Sequence, residues 1–480
     1  MNSLLLLAVA VVAASEPLPR GHVFFRGQPT TIEQTGVKSF RLPAEQMRGC
    51  TVRGTARVKA DSVSAKPNSW NGIKFMLAID APSGKSWPQA DIGVGTFDWQ
   101  RCSFIARIPA DATAVTLCLG LEKVTGKVSF EDVTISLAKP PLPPASAVAY
   151  DGPPFKGHDL PRLRGAMIHP NITADSLRTL GRDWKANLIR WQFIRHETKS
   201  DYDTWLEGEL KKLDAALPVC EEVGLRVVVD LHSPPGGKRT VSGYVGSDDS
   251  LFTSKTCQDK FVEVWKKIAT RYKGAKLVWG YDLANEPVET DVADDCDDWH
   301  ALAERVAKAI RAIDPARAII CEAPPWGSPE SLAEFRPIAV SNVVYSVHMY
   351  VPGEFTHQGV HNKTAKPISY PGEIKGKMWD KAALEKVLKP VVDFQKRYNV
   401  HIYLGEFSAI RWAPGDSGYR YLKDCIDIFE SHGWDWSYHA FREWNGWSVE
   451  HGPDRADNKP AATPTDRQKL LCDWFAKNKR

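Results

Sequence analysis

The stretch Leu277-Val-Trp-Gly-Tyr-Asp-Leu-Ala-Asn-Glu-Pro287 decides how this chain reads. Val278, Trp279 and Tyr281 favour extended backbone and no charge precedes Asp282, so its first half reads as a buried strand. The run stops at Asn285-Glu286-Pro287. Proline cannot donate to a sheet ladder and pushes the residue before it out of helical geometry, which puts Glu286 where the strand ends. His401-Ile-Tyr-Leu-Gly-Glu-Phe407 repeats the pattern, an apolar strand ending in Glu406. One glutamate alone is usually a solvated surface group. Two at strand ends, one behind Asn and one behind Gly, are far more specific.

Working outward, apolar runs at 163–169, 187–193, 225–232, 277–285, 318–322, 342–348, 400–407 and 434–441 qualify as strands. Amphipathic stretches at 202–223, 258–272, 299–313, 381–398 and 418–431 fit between them as helices, and 465–478 closes the chain as another. Eight strands alternating with helices predict an α/β fold, a (β/α)8 TIM barrel, over residues 157–480. Residues 20–138 have another texture. Short β-rich runs at 51–58, 73–79, 101–108, 114–121 and 126–135, separated by Pro, Gly and Asp, predict an all-β, jelly-roll-like sandwich. Residues 139–156 form a proline-rich linker.

Residues 1–15 read as a signal peptide, with an unbroken apolar run at 4–12 and small residues at 12–15. The run falls short of the ~20 residues that span a bilayer. No Lys or Arg precedes it, which departs from the usual pattern. The expectation is a secreted protein, extracellular or periplasmic, with no membrane span. A composition of 43% hydrophobic and 25% charged residues describes a folded globular chain. The net charge of +4 is too small over 480 residues to point to nucleic acid. Nine scattered cysteines contain no C-x-x-C pair, which leaves zinc and redox motifs unsupported, and Cys220 and Cys321 sit in apolar stretches as buried thiols. Asp291, Asp294, Asp295, Asp297 and Asp298 lack the spacing of a calcium loop and read as the acidic entrance of a helix. His348, His357 and His361 lack a zinc pattern. No metal or cofactor is expected, and a monomer is.

In a barrel of this kind the chemistry sits at the carboxyl ends of the strands. Those ends carry Arg190 on strand two, His232 on strand three, Asn285 and Glu286 on strand four, His348 and Tyr350 on strand six, and Glu406 on strand seven. Strand eight runs into an aromatic cluster from Trp434 to Trp447. Paired carboxylates flanking one bond are what a glycosidase needs, one to protonate the leaving oxygen and one to attack the anomeric carbon. The 17 tryptophans supply flat apolar faces of the kind sugar clefts use.

On its N-E-P and G-E-F motifs and their strand spacing, the barrel resembles glycoside hydrolase family 5, the cellulase-like retaining glycosidases. The resemblance implies that Glu286 is the acid/base and Glu406 the nucleophile, with Arg190, His232, Asn285, His348 and Tyr350 around the substrate. Charge arguments agree: Arg190 would hold Glu406 ionised, while burial and the neighbouring charge would raise Glu286. Asn285 can bond the sugar 2-hydroxyl and Tyr350 can steady Glu406. The family usually places a Trp beneath the reacting sugar at the end of strand eight. Tyr438, Phe441 and Trp444 compete for that place here, with Trp444 the leading candidate. The stretch from Asp98-Trp99 to Val133 resembles jelly-roll carbohydrate-binding modules, with Trp70, Trp87 and Trp99 as platforms or core. The resulting expectation is a secreted endo-β-1,4-glucanase acting on polysaccharide. A β-mannanase or β-1,3-glucosidase on the same scaffold is the alternative, and a non-catalytic sugar-binding protein a further one. They differ in cleft loops at 234–251 and 351–377.

Overall fold

All eight runs read as strands enter one closed parallel barrel, in chain order β1 (Arg164–Ile168), β2 (Leu188–Gln192), β3 (Arg226–Asp230), β4 (Val278–Asp282), β5 (Ala318–Glu322), β6 (Val343–Met349), β7 (His401–Phe407) and β8 (Asp435–Phe441). The computed structural model describes residues 18, 21–141, 152–196, 200–237, 250–289, 292–293, 295–360 and 366–479. Residues 1–15, read as a leader, residues 142–151 of the expected linker, parts of the two loops expected to line a cleft (238–249 and 361–365), Asp291, Asp294 and His361 lie outside the described residues. The chain divides into two compact units, Met1–Ser146 and Ala147–Arg480.

In the barrel unit, strand alternation sorts side chains into two layers. Ile189, Trp191, Val227, Val229, Ile319 and Cys321 pack outward against the helices. Leu188, Val228, Trp279, Ala318, Ile320, Val344 and Tyr403 make a second, smaller core from the opposite face of the same strands. Helices Tyr202–Val223, Lys255–Tyr272, Trp299–Ile313, Lys381–Tyr398 and Ser417–His432 fill five crossovers, and Asp466–Phe475 closes the chain. Most begin on an oxygen that caps the first turn, as where Asp298 accepts the Ala301 N–H. That end of the aspartate run is therefore a helix entrance, as its composition suggested.

Two crossovers carry less helix than the rest. Between β1 and β2 the chain makes only Ala174–Arg178 and a wider turn at Thr179–Asp183. Between β5 and β6 it makes a short 3₁₀ turn, Pro329–Ala333. Pro329 stands at the start of that turn, where its missing N–H costs nothing, and Pro337 follows within a turn of its end. A small hairpin, Gly372–Ile374 with Lys377–Trp379, decorates the long β6–β7 connection. Among the described residues, no helix is long and apolar enough to cross a membrane.

The first unit is two antiparallel sheets. One holds Val23–Arg26, Thr30–Glu33, Lys127–Lys139, Thr51–Val63 and Gly95–Arg107; the other holds Gly36–Arg41, Ala114–Glu122, Gly72–Ala81 and Gly84–Ser86. Inward residues of both, among them Val52, Phe75, Phe104, Leu117 and Phe130, share one core. One turn of helix at Ala44–Met47 interrupts the strands.

Candidate active site

Glu406 reaches the barrel interior through a slip in the ladder. Val347 pairs with Leu404, but the next residue, His348, pairs with Glu406, leaving Gly405 as the extra residue. Such a bulge re-aims the side chain that follows it. Strict alternation from Tyr403, which faces the inner core, would have turned Glu406 outward. Gly405 also makes room: a Cβ there would lie 2.5 Å from Ser346 Oγ and 2.9 Å from His348 Nε2. Glu286 is held by a different device. Its backbone is left-handed, φ +45°, and its N–H donates to Glu322 Oε2 at 2.8 Å. Backbone strain of this kind persists only where the surroundings fix it.

Beneath the two glutamates lies a buried cation. Arg190 donates to Glu406 Oε1 at 2.6 Å, Asp282 Oδ2 at 3.0 Å, Asn285 Oδ1 at 3.0 Å and Glu322 Oε1 at 3.2 Å. Asp230 Oδ1 stands 3.2 Å from the same guanidinium. One charge therefore serves four carboxylates. Burial pushes Asp282 well above the ordinary carboxylate range, against the pull of Arg190 and with the help of Glu322 and Asp230.

Glu406 Oε2 accepts the Tyr350 hydroxyl at 2.7 Å and lies 3.4 Å from His439 Nδ1. Burial works against its charge, but His348, His439 and Arg190 together hold Glu406 well below the usual carboxylate range. The expectation that Arg190 ionises it is thus only part of the cause, because Arg190 is shared and two histidines act beside it. His348 bridges the pair: its Nδ1 is 2.8 Å from Glu286 Oε1 and 3.8 Å from Glu406 Oε2, and its Nε2 is 3.1 Å from Glu322 Oε1. Burial opposes the imidazolium, yet Glu322 and Glu406 outweigh it and raise His348 well above its ordinary value. The Glu286 side chain is 22% exposed, so of the two glutamates the one on β7 is the buried one. One oxygen of each lies within 4.8 Å of the other.

The remaining expected residues converge on the same mouth. His232 Nδ1 is 2.9 Å from Asp230 Oδ2, and its Nε2 is 3.1 Å from Asn285 Nδ2, so Asp230 and His232 orient the amide next to Glu286. Of the strand-eight aromatics, Tyr438 and Phe441 are buried in the outer core. Trp444 is 42% exposed and packs edge-on against Trp412 and Trp447. The residue of β8 that meets Glu406 is His439, with Trp447 tilted over it at 5.7 Å. Sequence reading searched this strand for a large ring and passed over His439. The signal was present: Trp434, Trp436 and Tyr438 all pack outward, which leaves Asp435, Ser437 and His439 for the inside. Asp230, Asp282 and Glu322 were passed over too, although a charged residue at the end of an otherwise apolar barrel strand marks the same face.

Residues 148–444 match the family model "Cellulase (glycosyl hydrolase family 5)". Endoglucanase C of Acetivibrio thermocellus is 29% identical over 272 residues, 50% of this chain and 76% of that protein. Cellodextrinase A of Ruminococcus flavefaciens is 24% identical over 270 residues, 55% of this chain and 76% of that protein. A crystal structure of a glycoside hydrolase superposes with a TM-score of 0.54 at 25% identity, covering 65% of this chain and 99% of its own. Thermotoga maritima Cel5A, crystallised with cellobiose in mutant form, shares the fold at a TM-score of 0.51 and 22% identity, covering 67% of this chain and 99% of its own. With the family model spanning 148–444 of 480 residues, and with two strand-end glutamates facing each other across the mouth of a closed barrel, the chain belongs to glycosyl hydrolase family 5 and is a retaining glycoside hydrolase.

Proposed function

We propose that the barrel is an endo-β-1,4-glucanase in which Glu406 is the nucleophile and Glu286 the acid/base. The observation that carries the reading is the unequal setting of the two glutamates. Glu406 is buried among cations that keep it ionised, whereas Glu286 is half-buried with an oxygen beside His348. An oxygen of each within 4.8 Å of the other fits the short carboxyl separation of retaining enzymes. In the first step Glu406 attacks the anomeric carbon while Glu286 gives its proton to the departing oxygen. In the second Glu286 takes a proton from water, which displaces Glu406 from the sugar. Asn285, fixed by Arg190 and His232, is set to bond the 2-hydroxyl as the transition state forms. Similarity to Endoglucanase C and Cellodextrinase A supports a β-glucan as substrate. Proton NMR of the first-formed product tests the mechanism, with retained configuration expected; initial inversion sinks the assignment of Glu406. Release of reducing sugar from glucan, mannan and xylan, compared side by side, tests the substrate.

Export, carried by the leader-like residues 1–15, belongs to the same reading, because a polymer is degraded outside the cell. For the first unit we propose weak glycan binding on a jelly-roll-like sandwich. Trp70 and Trp87 are 62% and 59% exposed and both border the strand Gly72–Ala81 or its partner Gly84–Ser86. The Trp70 backbone is tied down: Lys74, itself buried, donates to the Trp70 carbonyl and to Gln89. Replacing both tryptophans by alanine in the full chain should weaken its retention on insoluble glucan while hydrolysis of a soluble oligosaccharide is unchanged. Equal retention of variant and parent removes the proposal.

A further inference from the structure

The β8 position beside the nucleophile carries an ionisable group instead of an indole, and that group has its own partner. His439 Nδ1 meets the Tyr350 hydroxyl and lies 3.4 Å from Glu406 Oε2. Its Nε2 lies 3.2 Å from Glu443 Oε2. Tyr350 has one hydroxyl proton, and it is given to Glu406 at 2.7 Å. Toward His439 the same oxygen can only accept, so Nδ1 must carry a proton. Nε2 faces a carboxylate oxygen and must carry one as well. With Glu406 and Glu443 both ionised, two donating nitrogens make an imidazolium.

We infer that His439, kept as an imidazolium by Glu443, is a positioning residue that fixes the ionised state of Glu406 and the direction of the Tyr350 hydroxyl. The inference rests on the reading of Glu406 as nucleophile. The groups around His439 come from four places: Tyr350 just beyond β6, Glu406 on β7, Glu443 just beyond β8, and Glu286 at longer range beyond β4. His232 and His196 act in turn on Glu443. Burial pushes His439 toward the neutral form, but Glu406 and Glu443 outweigh it and raise the imidazole. Glu443 is held below the usual carboxylate range, against burial, by His439. Should His439 lose its Nδ1 proton, the bare nitrogen becomes an acceptor. The Tyr350 hydroxyl then turns to it and away from Glu406, and the nucleophile loses a donor and a cation together.

The test has a spectroscopic arm and a kinetic arm. In the full chain with ¹⁵N-labelled histidine, the two nitrogens of His439, assigned by their loss in His439→Gln, should both be protonated at about pH 7, where an ordinary imidazole is largely neutral. Glu443→Gln should move that titration to lower pH. In His439→Gln, a neutral side chain that still offers an N–H, Glu406 keeps its proton to higher pH. The acidic limb of kcat/KM therefore moves up, by about one to three pH units, the scale of one opposite charge within 4–6 Å. Glu443→Gln should instead cut activity from the alkaline side. A neutral His439 in the parent protein overturns the proposal, and so does a His439→Gln profile that is merely scaled down. If His439→Gln does not fold, His439→Asn supplies the assignment and Glu443→Gln the kinetics. Trapping with a 2-fluoro glycoside keeps the underlying reading separate: label on Glu406 upholds it, and label on another carboxylate overturns both.

Discussion

Arg190 stands at 0% exposure against Asp230, Asp282, Glu322 and Glu406. A buried cation so placed is costly to remove, because the carboxylates it leaves behind stay buried and unpaired. Arg190→Met should therefore lower the stability of the barrel by about 3–5 kcal/mol, read from denaturant unfolding, as well as abolish turnover. Stability within about 1 kcal/mol of the parent would mean that the acids are held neutral without it. The two glutamates should fail in different ways. Glu286→Ala should still form the glycosyl-enzyme from an activated aryl glycoside, which needs little protonation to leave, and azide should restore turnover with net retention. Glu406→Ala cannot form that ester, and azide should give a product of inverted configuration. Product stereochemistry by NMR distinguishes them.

At the scale of the element, the β6–β7 ladder decides which way Glu406 points. Its register slip is filled by Gly405, whose missing Cβ clears Ser346 Oγ and His348 Nε2. Gly405→Ala drives a methyl into both, and both are interior polar groups packed against neighbouring strands. Overpacking of this kind costs about 1–3 kcal/mol. The larger effect should be kinetic: a displacement of about 1 Å at His348 or Glu406 can cost roughly a hundredfold in kcat. A Gly405→Ala enzyme with parental kcat would show that the strand can shift without moving the glutamate.

The barrel closes at the end opposite its chemistry through Asp435. Its Oδ2 is 2.7 Å from His158 Nε2 and 2.7 Å from His401 Nε2, and Oδ1 accepts the Leu163 N–H at 2.7 Å. One carboxylate thus ties the segment before β1 to β7 and β8, where first and last strands meet. Burial opposes its charge, but the two histidines hold Asp435 below the ordinary range. A carboxylate depressed in the folded state stabilises the fold above its unfolded value, and that stability drains away as pH falls toward the folded value. Asp435→Asn should cost roughly 2–3 kcal/mol at neutral pH, as expected for hydrogen bonds to a charged group. The difference from the parent should narrow below about pH 4. A melting-temperature gap that is constant from neutral to acid pH would mean that Asp435 serves through shape and not charge.

The local pattern of the chain determined its elements. Apolar runs of strand length, amphipathic spacing and proline stops placed all eight strands within a few residues, because these strands are buried on both faces and must be almost wholly apolar. The same logic exposed Glu286 and Glu406, since a charge at the end of such a run has few structural uses. Three things were decided only in the folded molecule. A bulge is a property of two strands, so the turning of Glu406 inward could not be read from β7 alone. Sharing of Arg190 among four carboxylates depends on β2, β3, β4, β5 and β7 meeting around one point, and so does the share of charge left for Glu406. His439 owes its place beside Glu406 to the parallel pairing of β6, β7 and β8, which brings the carboxyl ends of the three strands side by side. Sequence neighbours set which backbone shape each segment prefers; the field at a carboxylate is set by groups tens to hundreds of residues away, brought near only when the strands assemble.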